Sequence, residues 1–199
     1  ACPVPPPLIS RRAAAGDDEI IGVYCAAVIF DLIAPLTAQY LPRYGAGAQL
    51  NRALKGVRAD CRVSLMREGE TLCCGCGELQ FTETGVSGPA AFDISRRASA
   101  EGGGLTLSID FLRDYSHEQV VALLRTRSDS LPALPAEELL TGMLHNRLGR
   151  MIIKYVGIGA SAPLRLLEDE ELERVARACR DFRLKLCGTE GFDCAQVTA

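Results

Sequence analysis

The chain has 199 residues, 48% of them apolar and 24% charged, a composition typical of a globular protein with a substantial core. It carries 22 basic and 25 acidic residues, a formal net charge of −3, and no basic stripe, so a nucleic-acid partner is not expected. The longest apolar run, Ile20–Ile33, contains Asp31 and is too short to span a bilayer. No secretory signal opens the chain, and we therefore expect a cytoplasmic protein with no membrane partner.

The first part of the chain gives the weakest signals. Residues 1–31 are left unassigned, because the Pro-rich stretch Ala1–Asp18 favours an extended, mobile segment. The apolar, β-branched stretch Ile20–Leu32 fits either a buried strand or a short helix. Pro and Gly residues in Leu36–Gly47 indicate a loop.

A hairpin is the first element with a clear pattern. Apolar and polar residues alternate along Val57–Leu65, which predicts a strand with one buried face. Glu68–Glu70 is predicted to be the turn and Thr71–Phe81 the returning strand. Gly75 and Gly77 within that strand indicate a bulge or a close approach of another backbone.

A helix and a strand are predicted next, and the mainly helical part of the chain follows them. Ala90–Arg97 is predicted to be a helix and Leu105–Asp110 a strand, with a Gly-rich loop at Gly102–Gly104 between them. Ser116 and Gln119 are spaced as a capping box, which starts the next helix.

Three more helical stretches are predicted before the chain returns to strand. The first carries Leu139–Leu148, the second is Met151–Val156 and ends at Gly157, and the third is Glu168–Phe182. The alternation around Leu184 and Leu186 and the final residues 195–198 then indicate strands.

This order of elements predicts an α+β fold in which a small β-barrel carries an inserted helical subdomain of about four helices. We assign residues 32–110 plus 183–199 to the barrel and residues 111–182 to the helices. The chain begins with Ala1 and ends inside a predicted strand, so we expect it to be a fragment of a longer protein.

Cysteine usage does not predict a metal site. The nine cysteines are irregularly spaced, which is typical of reduced thiols rather than of a disulfide framework. The cluster Cys73–Cys76 has no second ligand pair elsewhere, and the two histidines, His117 and His145, stand alone. We expect buried thiols at a strand, surface histidines and no bound metal.

Common catalytic motifs are absent from the sequence. No GxGxxG follows a strand, and there is no GxxxxGK[ST] loop and no GxSxG elbow. A Ser87 nucleophile paired with His117 or His145 is a remote alternative, because neither histidine is near it in sequence.

One segment, Phe81–Pro89, combines hydroxyl groups with unobstructed backbone; we call it the signature segment. Thr82, Thr84 and Ser87 supply the hydroxyls. Backbone N–H groups at Gly85, Ser87 and Gly88 could meet a flavin edge, a carbonyl or a phosphate if Pro89 starts a helix. A tight turn that caps a helix at Ala90 explains the same residues equally well.

Gly77–Ala90, which reads GELQFTETGVSGPA, resembles the signature G-E-[LM]-x-F-T-x-x-G-[LV]-S-G-P-A of the aminoacetone oxidase-like family of FAD-binding, NAD(P)/FAD-dependent oxidoreductases. Leu54–Val57, Leu107–Leu112 and Ala195–Ala199 are similar to flanking segments of that family. Where this chain has Glu83, family members often have His or Asp.

The resemblance implies that this chain is inserted into the flavin-binding domain of the same polypeptide, whose FAD fingerprint lies outside the chain. The parent would use FAD, with NAD(P)H, on a small carbonyl or enone-type substrate. Contacts to the cofactor are expected from Thr84, Gly85, Ser87 and Gly88, and contacts to substrate from Thr82, Glu83 and Pro89. No catalytic residue is assigned; Glu83 and Tyr115 are the candidates for a proton donor.

Two other functions compete with this interpretation. The chain could be a non-enzymatic docking module, which would present an exposed apolar patch to a protein partner. It could also be a serine hydrolase that uses Ser87.

Overall fold

A computed structural model describes residues 22–24, 28–29, 53–83, 85–101, 103–186 and 196–198. The predictions for the Pro-rich start, for the loop at Leu36–Gly47 and for Thr84 lie outside these residues. Strands are present within the stretch that fitted either strand or helix: β1 is Gly22–Tyr24 and β2 is Val28–Ile29.

The predicted hairpin is confirmed and forms the centre of the sheet. Strand β3 is Arg58–Arg67 and strand β4 is Glu70–Phe81, and the two pair antiparallel. Glu68 and Gly69, in the turn, have φ angles of 50° and 90°. Two successive residues with positive φ are typical of the tight turn that matches the twist of paired strands.

Six strands form one antiparallel sheet in the order β2-β5-β4-β3-β6-β7. The remaining members are β5 at Gly85–Ser87, β6 at Thr106–Asp110 and β7 at Phe182–Lys185. A separate pair joins β1 to β8, at Gln196–Thr198. Closure of the six-stranded sheet into a barrel is not seen among the described strands.

Four α-helices lie within the described residues. They are α1 at Pro89–Glu101, α2 at His117–Ser130, α3 at Asn146–Tyr155 and α4 at Asp169–Arg180. The predicted capping box is present at the start of α2, where the Ser116 hydroxyl accepts from the Gln119 amide and the Gln119 side chain accepts from the Ser116 amide. Three of these helices follow one another between β6 and β7, and the strands of the sheet pair antiparallel, which confirms the α+β class.

The prediction of a helix through Leu139–Leu148 is wrong. The chain forms a short 3-10 helix at Ala136–Glu138, then turns, and α3 begins only at Asn146. Gly142, with a φ of 86°, cannot continue a right-handed helix. Leu139 and Leu140 are buried and Leu144 is half-buried before α3 begins, and Leu148 lies in α3, so the spacing of the leucines imitated one continuous helix.

Phe182 is also misplaced by the prediction, because it begins β7 rather than ending α4. Its ring lies 5.8 Å from that of Phe111 and 4.6 Å from that of Tyr155, measured between ring centroids. Phe111 in turn lies 6.4 Å from Phe81. These aromatic contacts join the sheet to the helices in one continuous core, and the division into barrel and helical subdomain remains a prediction.

Candidate functional site

The signature segment starts as a turn that closes on itself. The Thr82 amide donates to the Gly85 carbonyl at 2.8 Å, and the Gly85 amide donates to the Thr82 hydroxyl at 2.9 Å. Both bonds tie the ends of the turn together. The amide of Gly85, which was expected to face a ligand, therefore already has a partner within the segment.

Beyond the turn, the segment forms strand β5 between β4 and β2. Val86 is opposite Phe81 on one side and opposite Val28 on the other. Val86 and Gly85 are buried, whereas Ser87, opposite Gln80, is half-buried. This part of the segment is a sheet element rather than an open loop.

Gly88 joins β5 to helix α1 at a position that only glycine fits. Its φ is 101°, and a Cβ atom there would lie 2.7 Å from the Glu78 carbonyl oxygen. Its own carbonyl accepts from the amides of Ala91 and Phe92, and these are the first hydrogen bonds of the helix that Pro89 begins. The segment therefore turns directly into helix α1 at this glycine.

Gly75 accounts for the close backbone approach that the sequence indicated. A Cβ atom at this position would lie 2.5 Å from the Ala90 carbonyl oxygen and 2.8 Å from Cβ of Asp93. Helix α1 is therefore seated directly on β4, and the first turn of α1 has a fixed position over the strand.

Among the described residues of the signature segment, Glu83 and Pro89 are exposed. Glu83 forms an ion pair with Lys55 at 2.7 Å, with side chains 67% and 58% exposed. A pair this exposed contributes little stability, so both groups remain accessible to another molecule. Thr82 and Ser87 are half-buried beside them.

Strands close to both ends of the sequence lie next to this segment. Strand β2 pairs with β5, helix α1 contacts β1 and β2, and β1 pairs with β8. The signature segment therefore lies on the same side of the molecule as the strands nearest to residues 1 and 199.

The other candidate proton donor, Tyr115, lies elsewhere. Its side chain is 46% exposed and lines a cleft of about 520 Å³ between β3 and the helical part. The cleft is formed by three stretches that are far apart in the sequence, and sequence reasoning missed it.

Neither histidine supports a hydrolase at Ser87. Nε2 of His117 lies 2.7 Å from a carboxylate oxygen of Glu173, which couples α2 to α4. Nδ1 of His145 accepts from the Arg147 amide and caps α3. The bonds of both imidazoles thus serve the helical part. His145 is exposed as predicted, whereas His117 is half-buried.

Four cysteines of the described part are free thiols, namely Cys61, Cys73, Cys76 and Cys179. Burial raises the pKa of Cys61 to about 12, and it also raises the pKa of Cys73 and Cys179. Cys76 is exposed. Among the described residues no group of three His, Cys, Asp or Glu side chains could hold a metal ion.

None of the described helices combines the length and the apolar character that crossing a membrane requires. Four large apolar side chains are exposed in the same part, namely Tyr115, Leu123, Leu131 and Leu166. Exposure of single apolar side chains is normal and does not by itself indicate a docking module.

The antiparallel sheet, the segregated helices and the signature segment together define the class to which this protein belongs. The family described as "HI0933-like protein barrel and H2TH domain" matches residues 46–197, and the chain belongs to this family of FAD-dependent oxidoreductases. The narrower aminoacetone oxidase-like assignment remains a prediction.

A curated relative agrees with this class. Over 147 residues the chain is 33% identical to the 3-dehydro-bile acid delta(4,6)-reductase of Clostridium scindens. The match covers 72% of this chain and 36% of the relative, so the chain spans about a third of that protein's length.

Proposed function

We propose that this chain is the substrate- and flavin-covering part of an FAD-dependent oxidoreductase. Its parent would transfer a hydride between NAD(P)H, flavin and a small carbonyl or enone-type substrate. Family membership carries the proposal, and the reductase among its relatives supports it. The relative's name describes a reductase of a 3-dehydro-bile acid, and we extend only its reaction type to this chain.

The residues of the signature segment fit a covering surface better than a cradle for the cofactor. The Gly85 amide bonds Thr82, and the space where Gly88 lacks a side chain is filled by the backbone of Glu78. Gly85 and Gly88 would therefore contact the cofactor by van der Waals packing, and the Gly85 amide would not donate a hydrogen bond to it. Ser87 and Thr84 remain the proposed polar contacts to the cofactor.

Substrate contacts are proposed for the exposed and half-buried side chains of the same segment. Glu83 and Pro89 are exposed, and Thr82 is half-buried. Lys55 lies 2.7 Å from the Glu83 carboxylate, and both side chains are exposed enough to meet a substrate. Glu83 would lie beside the substrate carbonyl.

The location of the segment supports a partner supplied by the same polypeptide. Helix α1 contacts β1, and β1 pairs with β8, so the covering surface lies beside the strands nearest to both ends of the chain. A flavin domain that packs beside these strands would contact the signature segment. When bound in that domain, FAD supplies the hydride chemistry, and this chain would orient substrate and exclude water.

The test compares the activities of two variants of the full-length protein, each of which loses one carboxylate at or beyond an end of strand β4. Glu83→Gln changes the signature segment, and Glu70→Gln changes the opposite end of the 12-residue strand β4, about 35 Å away. We expect Glu83→Gln to lower kcat/KM for flavin-dependent reduction and Glu70→Gln to leave it unchanged. Equal activity of both variants with the unchanged protein would contradict the assignment of this surface.

A further inference from the structure

One arginine of the helical part binds the main chain of the turn that precedes β3; we call this turn, residues 53–57, the anchor turn. Arg147, the second residue of α3, donates from its guanidinium to the Ala53 carbonyl at 2.8 Å and to the Lys55 carbonyl at 3.1 Å. A second guanidinium nitrogen also donates to Ala53. These residues lie 94 and 92 positions from Arg147 in the sequence. Within the described part, the guanidinium bonds main-chain carbonyls and no carboxylate.

The backbone of Arg147 is itself fixed by the start of α3. Its amide donates to Nδ1 of His145 at 3.2 Å. The next two residues, Leu148 and Gly149, are buried, and a Cβ atom at Gly149 would lie 3.0 Å from Cβ of Leu140. Helix α3 is therefore seated tightly on the turn that precedes it, and the guanidinium extends from a rigid base.

The anchor turn is also bonded to the first residue of the signature segment. The Gly56 amide donates to the Phe81 carbonyl at 2.8 Å, and the Phe81 amide donates to the Val57 carbonyl at 2.9 Å. Leu54, Val57 and Phe81 are at most 1% exposed, so the turn is held in the core as well. The anchor turn thus connects α3 to the signature segment through main-chain hydrogen bonds.

The side chains proposed to meet the substrate extend from this bonded framework. Lys55 presents its carbonyl to Arg147 and its ammonium group to Glu83. The ion pair is too exposed to fix either side chain by itself, so the positions of both depend on the backbone beneath them. Arg147 holds the backbone of Lys55, and that of Glu83 follows two residues after Phe81.

Loss of the guanidinium should shift this framework without unfolding the protein. Arg147 is exposed, so water can replace it at the carbonyls of Ala53 and Lys55. Leu54 and Val57 would still anchor the turn through their burial. A shift of about 1 Å in a group that orients a substrate can nevertheless lower a reaction rate by about two orders of magnitude.

We propose that Arg147 is a positioning residue of the oxidoreductase. Through the anchor turn it sets the place of Lys55 and Glu83 beside the substrate, and it acts on main-chain carbonyls rather than on the substrate itself. The inference rests on the proposed function, because Glu83 is a substrate contact only under that proposal. It adds that the helical part, and not the sheet alone, determines the geometry of the covering surface.

The first experiment measures hydrogen–deuterium exchange of the full-length protein by mass spectrometry. In Arg147→Gln we expect the amides of Gly56 and Phe81 to exchange about fivefold faster, because the turn that they hold opens more often. Arg150→Gln is the matched control. Arg150 lies on the same helix and is also exposed, but its partners are Glu137 and Glu138. Exchange at Gly56 and Phe81 should be unchanged in this control.

The second experiment measures steady-state kinetics and thermal unfolding of the flavin-loaded protein. We expect Arg147→Gln to lower kcat and kcat/KM equally, by about tenfold, because orientation is lost in the transition state. Its Tm should stay within about 3 °C of the unchanged protein. Arg147→Lys should recover part of kcat, since an ammonium group can still donate to one of the carbonyls. Arg150→Gln should leave kcat unchanged.

The outcomes distinguish this inference from the proposed function. Equal exchange at Gly56 and Phe81 in Arg147→Gln and Arg150→Gln overturns the inference, with or without activity. Faster exchange with an unchanged kcat overturns it as well, and so does a fall in kcat that Arg147→Lys does not relieve and a large fall in Tm accompanies. If the full-length protein carries no flavin, the proposed function fails, and faster exchange in Arg147→Gln would still support the link between α3 and the signature segment.

Discussion

Replacing Gly88 by alanine should destabilise the junction between β5 and α1, where it lies against β4. The φ of 101° is unfavourable for any residue with a Cβ atom, and that atom would lie 2.7 Å from the Glu78 carbonyl oxygen. A residue held in such a conformation costs about 1–3 kcal/mol, and overpacking adds a similar amount. We expect the free energy of unfolding to fall by about 2–4 kcal/mol.

Thermal unfolding followed by circular dichroism measures this effect. At about 2–4 °C per kcal/mol for a chain of this size, Tm should fall by about 5–15 °C. Gly103→Ala is the matched control, because a Cβ atom at Gly103 has nothing within 4 Å and the residue is not in the left-handed region. Its effect should stay within about 0.5 kcal/mol.

Equal Tm values for the Gly88→Ala and Gly103→Ala variants would refute this reasoning. If Gly88→Ala left stability unchanged and removed flavin from the full-length protein, the glycine would be explained by the cofactor instead. The measurement therefore separates the two interpretations of the segment that the sequence left open.

Two further predictions concern thiols and an ion pair. At pH 8 a maleimide should label Cys76, which is exposed, and should not label Cys61, because burial raises the pKa of Cys61 to about 12. Peptide mass spectrometry identifies the labelled cysteines. Labelling of Cys61 at the same rate as Cys76 would contradict the burial of Cys61. Arg180→Ala removes the 3.2 Å contact to the Asp110 carboxylate, whose side chain is 13% exposed, and should lower the free energy of unfolding by about 1–3 kcal/mol in urea denaturation. Arg125→Ala breaks a more exposed ion pair, with Asp169, and should lower the free energy of unfolding by less than about 1 kcal/mol. Equal losses of stability in the two variants would show that the burial of Asp110 is unimportant.

The sequence predicted correctly those strands and helices whose formation depends on interactions between residues close together in the chain. The hairpin of β3 and β4 follows from strict alternation around a turn, and α2 follows from the Ser116–Gln119 capping box. The stretch Leu139–Leu148 was misassigned because burial in successive turns produced apolar spacing like that of a helix. Only tertiary packing, with Gly142 in a left-handed conformation, distinguishes the two cases.

The candidate site was only partly accessible to sequence reasoning. The signature segment was found because its unusual residues are consecutive. Its ion pair joins Lys55 to Glu83 across 28 positions, and the cleft joins residues from three stretches that are brought together only by folding. The role of Gly88 also needed the structure, because the sequence could not show that the Glu78 carbonyl fills the space beside it.

The most direct test is the absorbance spectrum of the purified full-length protein. We expect a bound flavin whose absorbance is bleached by NADH or NADPH, and a disturbed spectrum after Glu83→Gln but not after Glu70→Gln. A correctly folded, colourless full-length protein that does not take up FAD would contradict the assignment of this chain to a working flavoenzyme.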